Sequence, residues 1–140
     1  MEKMSRNQEN YLVMTIIYDE IADFVTAGVG LNFRDVDEIT KQLTDKAFTE
    51  QSNYVQNMVS NVLTHYGEII EAFQPHLRDW AWNRLPLLTQ SVLLMSYAHF
   101  YYVEKIDKRI VINVAVDLAK KYIEEKQAKF INAILDEVLK

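Results

Sequence analysis

Cysteine is absent from this 140-residue chain, which excludes disulfides, thiolate metal sites and a cysteine nucleophile. Glycine and proline are scarce, at three and two residues. No Asn-Gly or Asp-Gly pair occurs, so little material exists for tight hairpins, and helices are the economical reading. Long apolar runs are missing as well. The longest, "VLLMSYAHFYYV" at 92–103, is 12 residues, too short for a bilayer and the right length for a buried helix. The opening "MEKMSRNQEN" is polar, without the basic end and apolar run of a signal peptide, and the expectation is a cytoplasmic protein with no membrane association. Histidine is confined to His65, His76 and His99. None of them fits His-Glu-x-x-His or the Glu-x-x-His spacing of a di-iron helix, so no metal site is expected. Gly28 and Gly30 lack the third glycine or the Gly-Lys-Ser of a phosphate-binding loop, and no cofactor or catalytic group is assigned.

The chain holds 49% hydrophobic and 25% charged residues, the balance of an ordinary globular protein. Its net charge of -5 is unevenly spread. Residues 1–50 carry 5 basic and 10 acidic side chains, whereas residues 101–140 carry 8 and 7. Indiscriminate nucleic-acid binding is therefore disfavoured, although a local basic face near the end can act over about one Debye length. Asp19, Glu20 and Asp23 read as a solvated acidic face.

Periodicity and capping residues predict about seven helices in one all-α domain spanning residues 1–140. The first runs from Ser5 to Ala27, opened by a Ser5/Gln8 capping box and closed by Gly28. The second spans Asp35 to Phe48, with the Asp35 carboxylate as its cap. A third, from Glu50 to Tyr66, stops at Gly67, and the fourth breaks at Pro75. Pro86 begins a central helix that is apolar nearly all round and runs to about Lys105. After a polar turn at residues 107–109, Ile112, Ala115, Val116, Ala119, Tyr122 and Ile123 share one face. The last helix, from Glu125 to Leu139, carries a stripe of Ala128, Ile131, Ile134, Leu135 and Val138. Phe130 lies about 110° off the centre of that stripe, beside Lys126 and Lys129.

The final forty residues carry a resemblance. "VINVAVDLAKKY" followed by "AKFINAILDEVL" resembles the C-terminal signature of the NusB family of bacterial transcription antitermination proteins. In that family a helix reading I-N-E-A-V-E-L-A-K-x-F precedes K-F-V-N-G-V-L. Upstream, "WAWNRLPLLTQSVLLMSY" is similar to the family's W-x-x-x-R-I-x-x-V-D-R-A-I-L-R-L-A, and "SRNQENYLVMTIIYDE" weakly matches its N-terminal helix. The resemblance implies two small helical subdomains packed together and no enzymatic activity. It further implies binding of boxA-type ribosomal leader RNA jointly with the small-subunit ribosomal protein NusE, within the RNA polymerase antitermination complex.

By position, Lys129 and Phe130 fall on the family's Lys-Phe at the RNA face. Lys3 and Arg6 fall on its basic N-terminus, and Lys126 joins them as a candidate RNA-binding residue. An exposed aromatic suits this role, since stacking contributes about 1–3 kcal/mol per base. Thr89, Gln90 and His99 fall on the protein-partner surface. Asn113 and Asn132 are expected to be structural hydrogen-bonding residues, Asn132 pinning the last helix to its neighbour. Several charged family positions are taken by other residues: Glu9 or Asn10 for an arginine, Thr89 and Gln90 for Asp-Arg, Leu94 for an arginine, and Val114 for a glutamate. Ala133 replaces a glycine, and Glu2 adds negative charge. A second reading is therefore a helical interaction module that keeps the fold and has lost RNA binding. An apolar patch between the subdomains can support a homodimer.

Overall fold

The computed structural model describes residues 3–78 and 80–140. Among them, seven α-helices and no strand occur. α1 spans Arg6–Ala27, α2 Phe33–Thr44, α3 Asn53–Thr64, α4 Tyr66–Phe73, α5 Leu87–Ala98, α6 Lys108–Tyr122 and α7 Glu125–Val138. Single 3-10 turns lie at Phe48–Glu50, Gln74–His76 and Trp82–Arg84, and a π-turn over His99–Val103 extends α5. Glu2 and Asp79 lie outside the described residues.

α1 begins as expected. The Ser5 hydroxyl accepts from the Gln8 N-H at 3.1 Å, and the Gln8 side chain accepts from the Ser5 N-H at 2.8 Å. Two N-H groups that the first turn leaves orphaned are thus satisfied reciprocally. The helix ends at Gly28 (φ 70°), whose N-H donates to the Phe24 carbonyl. Gly30 (φ 98°) follows, where an added Cβ would lie 2.9 Å from the Glu20 carbonyl oxygen. Only glycine fits that approach.

Glu20 departs from the solvated face expected of it. It is 1% exposed, and one carboxylate oxygen accepts the Leu31 N-H at 2.8 Å while the other has no partner among the described residues. Burial is the main cause that pushes its carboxyl up to about 7, with the charges of Asp35 and Asp19 adding to it. The physical reason is the tight return of the chain over α1, which seals the carboxylate beneath the 28–31 loop. With Leu31 held there in a left-handed conformation (φ 57°), Asn32 is extended and becomes the cap of α2, accepting from the Asp35 N-H at 3.0 Å. The expected Asp35 cap is therefore corrected: Asp35 sits in the first turn. α2 also ends earlier than Phe48, because Asp45 turns left-handed (φ 63°) and Phe48 drops into the core. Likewise Gly67 lies inside α4, and the break before it falls at His65.

α5 is the central element. Thr89, Gln90, Ser91, Val92, Leu93, Leu94, Met95, Ser96 and Ala98 are all buried. Its polar side chains are satisfied internally: Ser91 donates to the Met14 carbonyl at 2.7 Å, and Gln90 donates to the carbonyls of Leu85 and Trp82 at 3.0 and 3.3 Å. Each such bond is worth about 1 kcal/mol net, but leaving the group unpaired would cost about 1–3 kcal/mol. α6 and α7 form a pair joined through Ile123 and Glu124, and all five stripe residues predicted for α7 are buried. Each large apolar side chain so buried contributes about 1.5–3 kcal/mol.

Candidate nucleic-acid interface

Arg6, the first residue of α1, is tied into the protein. Its guanidinium donates to Glu104 at 2.9 Å, lies 3.3 Å from Glu9 and stands 3.7 Å above the centre of the Tyr54 ring. The network extends inward. Tyr54 donates to the Asn10 side chain, Ser52 donates to Glu9, and His99 stands 3.4 Å from Glu104 with its ring edge-on to Tyr54. Burial pushes the Tyr54 hydroxyl up to about 12 and lowers His99, although Glu104 works against that lowering. Arg6 thereby pins the start of α1 to the start of α3 and the end of α5. A guanidinium shared between two carboxylates has fewer N-H groups left for a phosphate.

The amino end of α7 is arranged differently. Lys126 and Lys129 are exposed and make no ion pair with any described residue. Phe130 is half-buried and packs against the core, so it seals the helix edge while part of its ring meets solvent. Lys3 is exposed ahead of α1.

These predicted RNA contacts are not gathered in one place. Arg6 meets Glu104 at the far end of α5, whereas Gln127 of α7 accepts from Thr89 at its near end, at 2.9 Å. From Thr89 through the π-turn to Glu104 the chain advances by about 20 Å, at about 1.5 Å of rise per residue or slightly less. A groove of about 330 Å³ lies between α1, α6 and the end of α2, and its walls include Asn7, Tyr11, Leu43, Lys121 and Tyr122. The Tyr11 and Tyr122 rings are 4.6 Å apart at 41°, and the Lys121 ammonium is 5.4 Å from the centre of the Tyr122 ring. Reasoning from the sequence missed this group. Tyr122 was read there only as part of the apolar face of its helix, and Tyr11 was given no role.

Two sets of expectations are corrected. Thr89, Gln90 and His99 are 0%, 2% and 4% exposed, so they form no partner surface on this protein. The reason is that α5 runs through the middle, where its polar groups serve as internal hydrogen bonds. Asn113 and Asn132 are exposed and make no side-chain hydrogen bond to a described residue, so neither pins its helix. Each follows a buried isoleucine, and the 100° step of a helix carries the next side chain out to solvent.

Residues 13–140 match the model of the NusB family. The chain belongs to the NusB family. Among its relatives is the transcription antitermination protein NusB of Listeria welshimeri, 30% identical over 107 residues that make up 76% of this chain and 81% of the relative. The NusB of Halalkalibacterium halodurans is 31% identical over 90 residues, 64% of this chain and 67% of the relative. Similar solved structures include NusB of T. maritima, with a TM-score of 0.79 at 19% identity, covering 99% of this chain and 92% of that one. NusB in a complex of the antitermination factors NusB and NusE with dsRNA gives a TM-score of 0.73 at 20% identity, covering 97% of this chain and 98% of that one. At these identities the likeness establishes the all-helical NusB fold. Both of these relatives, from L. welshimeri and H. halodurans, are transcription antitermination proteins. The family match begins at Val13, beyond Lys3 and Arg6.

Proposed function

We propose that this NusB family member is a cytoplasmic transcription antitermination factor without enzymatic activity. Its residues 1–140 act as a single domain that binds boxA-type single-stranded leader RNA together with the small-subunit ribosomal protein NusE, within the RNA polymerase antitermination complex. The observation that carries this reading is the run of unpaired lysines beside aromatic rings, from Lys121 and Tyr122 to Lys126, Lys129 and Phe130. Single-stranded RNA is held by cations on its backbone and by rings on its unstacked bases, and this stretch supplies both. No described helix is long and apolar enough to cross a membrane.

The test is titration of a boxA-type RNA, with and without the ribosomal protein, at two salt concentrations. Four phosphate contacts by Lys3, Lys121, Lys126 and Lys129 predict a log-log salt slope of about -3 for a single strand. No complex at low salt with the ribosomal protein present would overturn the reading. The second reading, an interaction module that has lost RNA binding, is favoured by the internal commitment of Arg6 to Glu104 and Glu9. It expects the ribosomal protein to bind with no RNA contribution.

A further inference from the structure

The last turns of α1 gather negative charge that no part of the fold answers. Asp19, Glu20 and Asp23 each bring one carboxylate oxygen to within 4.8 Å of the other two. At about 100° per residue they fall within one sector of the helix, so α1 presents all three together. None of them forms an ion pair with a described residue. Arg34, in the first turn of α2, reaches Glu38 instead, at 3.9 Å. Its neighbour Asp35 adds a fourth negative charge. Burial, Asp23 and Asp35 together raise the Asp19 carboxyl, and no cation counters them.

Glu20 shows where a ligand would sit. Its side chain is 1% exposed, and the Leu31 N-H donates to its Oε1 at 2.8 Å. Oε2 is buried as well and has no partner among the described residues. The 28–31 loop passes over both Glu20 and Asp23: a Cβ built on Gly30 would stand 3.5 Å from Glu20 Oε1 and 3.5 Å from the Asp23 Cβ. Buried carboxylate oxygens are ordinarily paired, with a hydrogen-bond donor, a cationic side chain or a metal ion. The fold supplies a donor to Oε1 and nothing to Oε2. A proton on Oε2 would neutralise one carboxylate and leave Asp19 and Asp23 facing each other, whereas a dication answers all three. Histidine and cysteine patterns argued against a metal in the sequence, but an all-oxygen site needs neither residue.

We propose that Asp19, Glu20 and Asp23 form a binding site for a hard divalent cation, with Glu20 Oε2 as its innermost ligand. Spacing ranks the candidate ions. Oxygens on opposite sides of a calcium ion stand about 4.6–5.2 Å apart, and those of a magnesium ion about 4.0–4.2 Å, from their bond lengths. A spacing of up to 4.8 Å lies within the calcium span and exceeds the magnesium one. Asp23 is exposed, so the remaining coordination positions are open to water. A lysine or arginine of a protein partner could pair with Asp23 but is too bulky to reach the buried Oε2. A bound ion would tie the end of α1 to the loop that leads into α2, through the carboxylate that already holds Leu31. The site stands apart from the RNA-binding reading and does not depend on it.

The experiment uses the full chain, freed of metal with a chelator and titrated at neutral pH with calcium, manganese or magnesium chloride. Calorimetry is expected to show one saturable site, with a Kd of about 10⁻⁴–10⁻³ M for calcium and weaker binding of magnesium. Saturating calcium should raise the melting temperature by mass action. Asp23→Asn, at an exposed position, is expected to weaken calcium binding at least about tenfold while the metal-free protein melts as before. Glu20→Gln should weaken it at least as much. Glu71→Gln removes one unit of charge from an exposed position outside the cluster and should bind calcium as the unaltered protein does. As a check that needs no variant to fold, manganese should broaden the amide resonances of residues 19–23 and 30–31 before those of α7. No saturable binding of any of the three ions would overturn the site, as would calcium affinity unchanged in Asp23→Asn or reduced equally in Glu71→Gln. Tighter binding of magnesium than of calcium, or broadening that begins elsewhere, would overturn the assignment to these three oxygens.

Discussion

The two basic clusters at the amino ends of α1 and α7 look alike in sequence and differ in what they can do. Arg6 at the start of α1 is drawn inward, shared by Glu104 and Glu9 and laid over Tyr54. Lys126 and Lys129 at the start of α7 pair with no described residue. A cation at a helix amino end opposes the helix dipole, by about 0.3–1 kcal/mol. In α1 the fold compensates with carboxylates, one of them 98 residues away. In α7 Glu125 lies in the first turn, but neither lysine is held in an ion pair, so both ammonium groups stay available to a partner. A count of basic residues therefore overstates the charge available to a partner at one end and states it fairly at the other.

The largest effect that sharpens this contrast comes from the other internalised charge of α1. Glu20, raised from its ordinary 4.5 to about 7, contributes stability that is fully present below about pH 4.5 and is lost as pH rises through 7. Over that interval the loss is up to about 3 kcal/mol. Glu20→Gln keeps an acceptor for the Leu31 N-H and removes the charge, so melting curves at pH 5 and pH 8 should nearly coincide. The unaltered protein should melt lower at pH 8 than at pH 5, and an equal drop in Glu20→Gln would refute the assignment to this carboxyl.

Arg6→Ala should destabilise by about 2 kcal/mol, because Glu104 and the Tyr54 ring lose a charged hydrogen bond and a cation-π contact. RNA affinity should change little. Urea denaturation and the RNA titration together separate the two outcomes, and a stable variant with much weaker RNA binding would break the comparison. Lys126→Ala with Lys129→Ala should do the reverse. Its melting temperature should hold within a degree or two, while RNA affinity falls about tenfold and the log-log salt slope flattens by about 1.4, since two counterions are no longer released. Smallest is Glu104→Gln, which loosens Arg6 from the fold. It should cost about 1 kcal/mol of stability and steepen the salt slope by about 0.7 as one cation becomes available to phosphate.

Much of the fold was legible because its signals are local. The Ser5/Gln8 box, the α7 stripe, the break near Pro75 and the apolar sequence of α5 each depend on residues within two turns of one another. The errors arose where distant parts of the chain decide between equal local options. Asn32 and Asp35 are both good caps, and the choice fell to Glu20, eleven residues before the Leu31 N-H that it holds. Thr89, Gln90 and His99 were placed on a partner surface by their match to family positions, but a helix crossing the centre buries polar groups when partners are waiting for them.

The candidate site divides along the same line. Its lysines, and Phe130 beside them, were visible as residues off an apolar stripe in a stretch that resembles the family. The groove was not, because it needs Tyr11 and Tyr122 from opposite ends of the chain. By itself the sequence determined the helices, their buried faces and the family, since each follows from short-range periodicity and motif order. Only the tertiary structure decided which charges are spent inside and which remain for a partner. That outcome depends on distances between side chains that adjacency along the chain does not constrain.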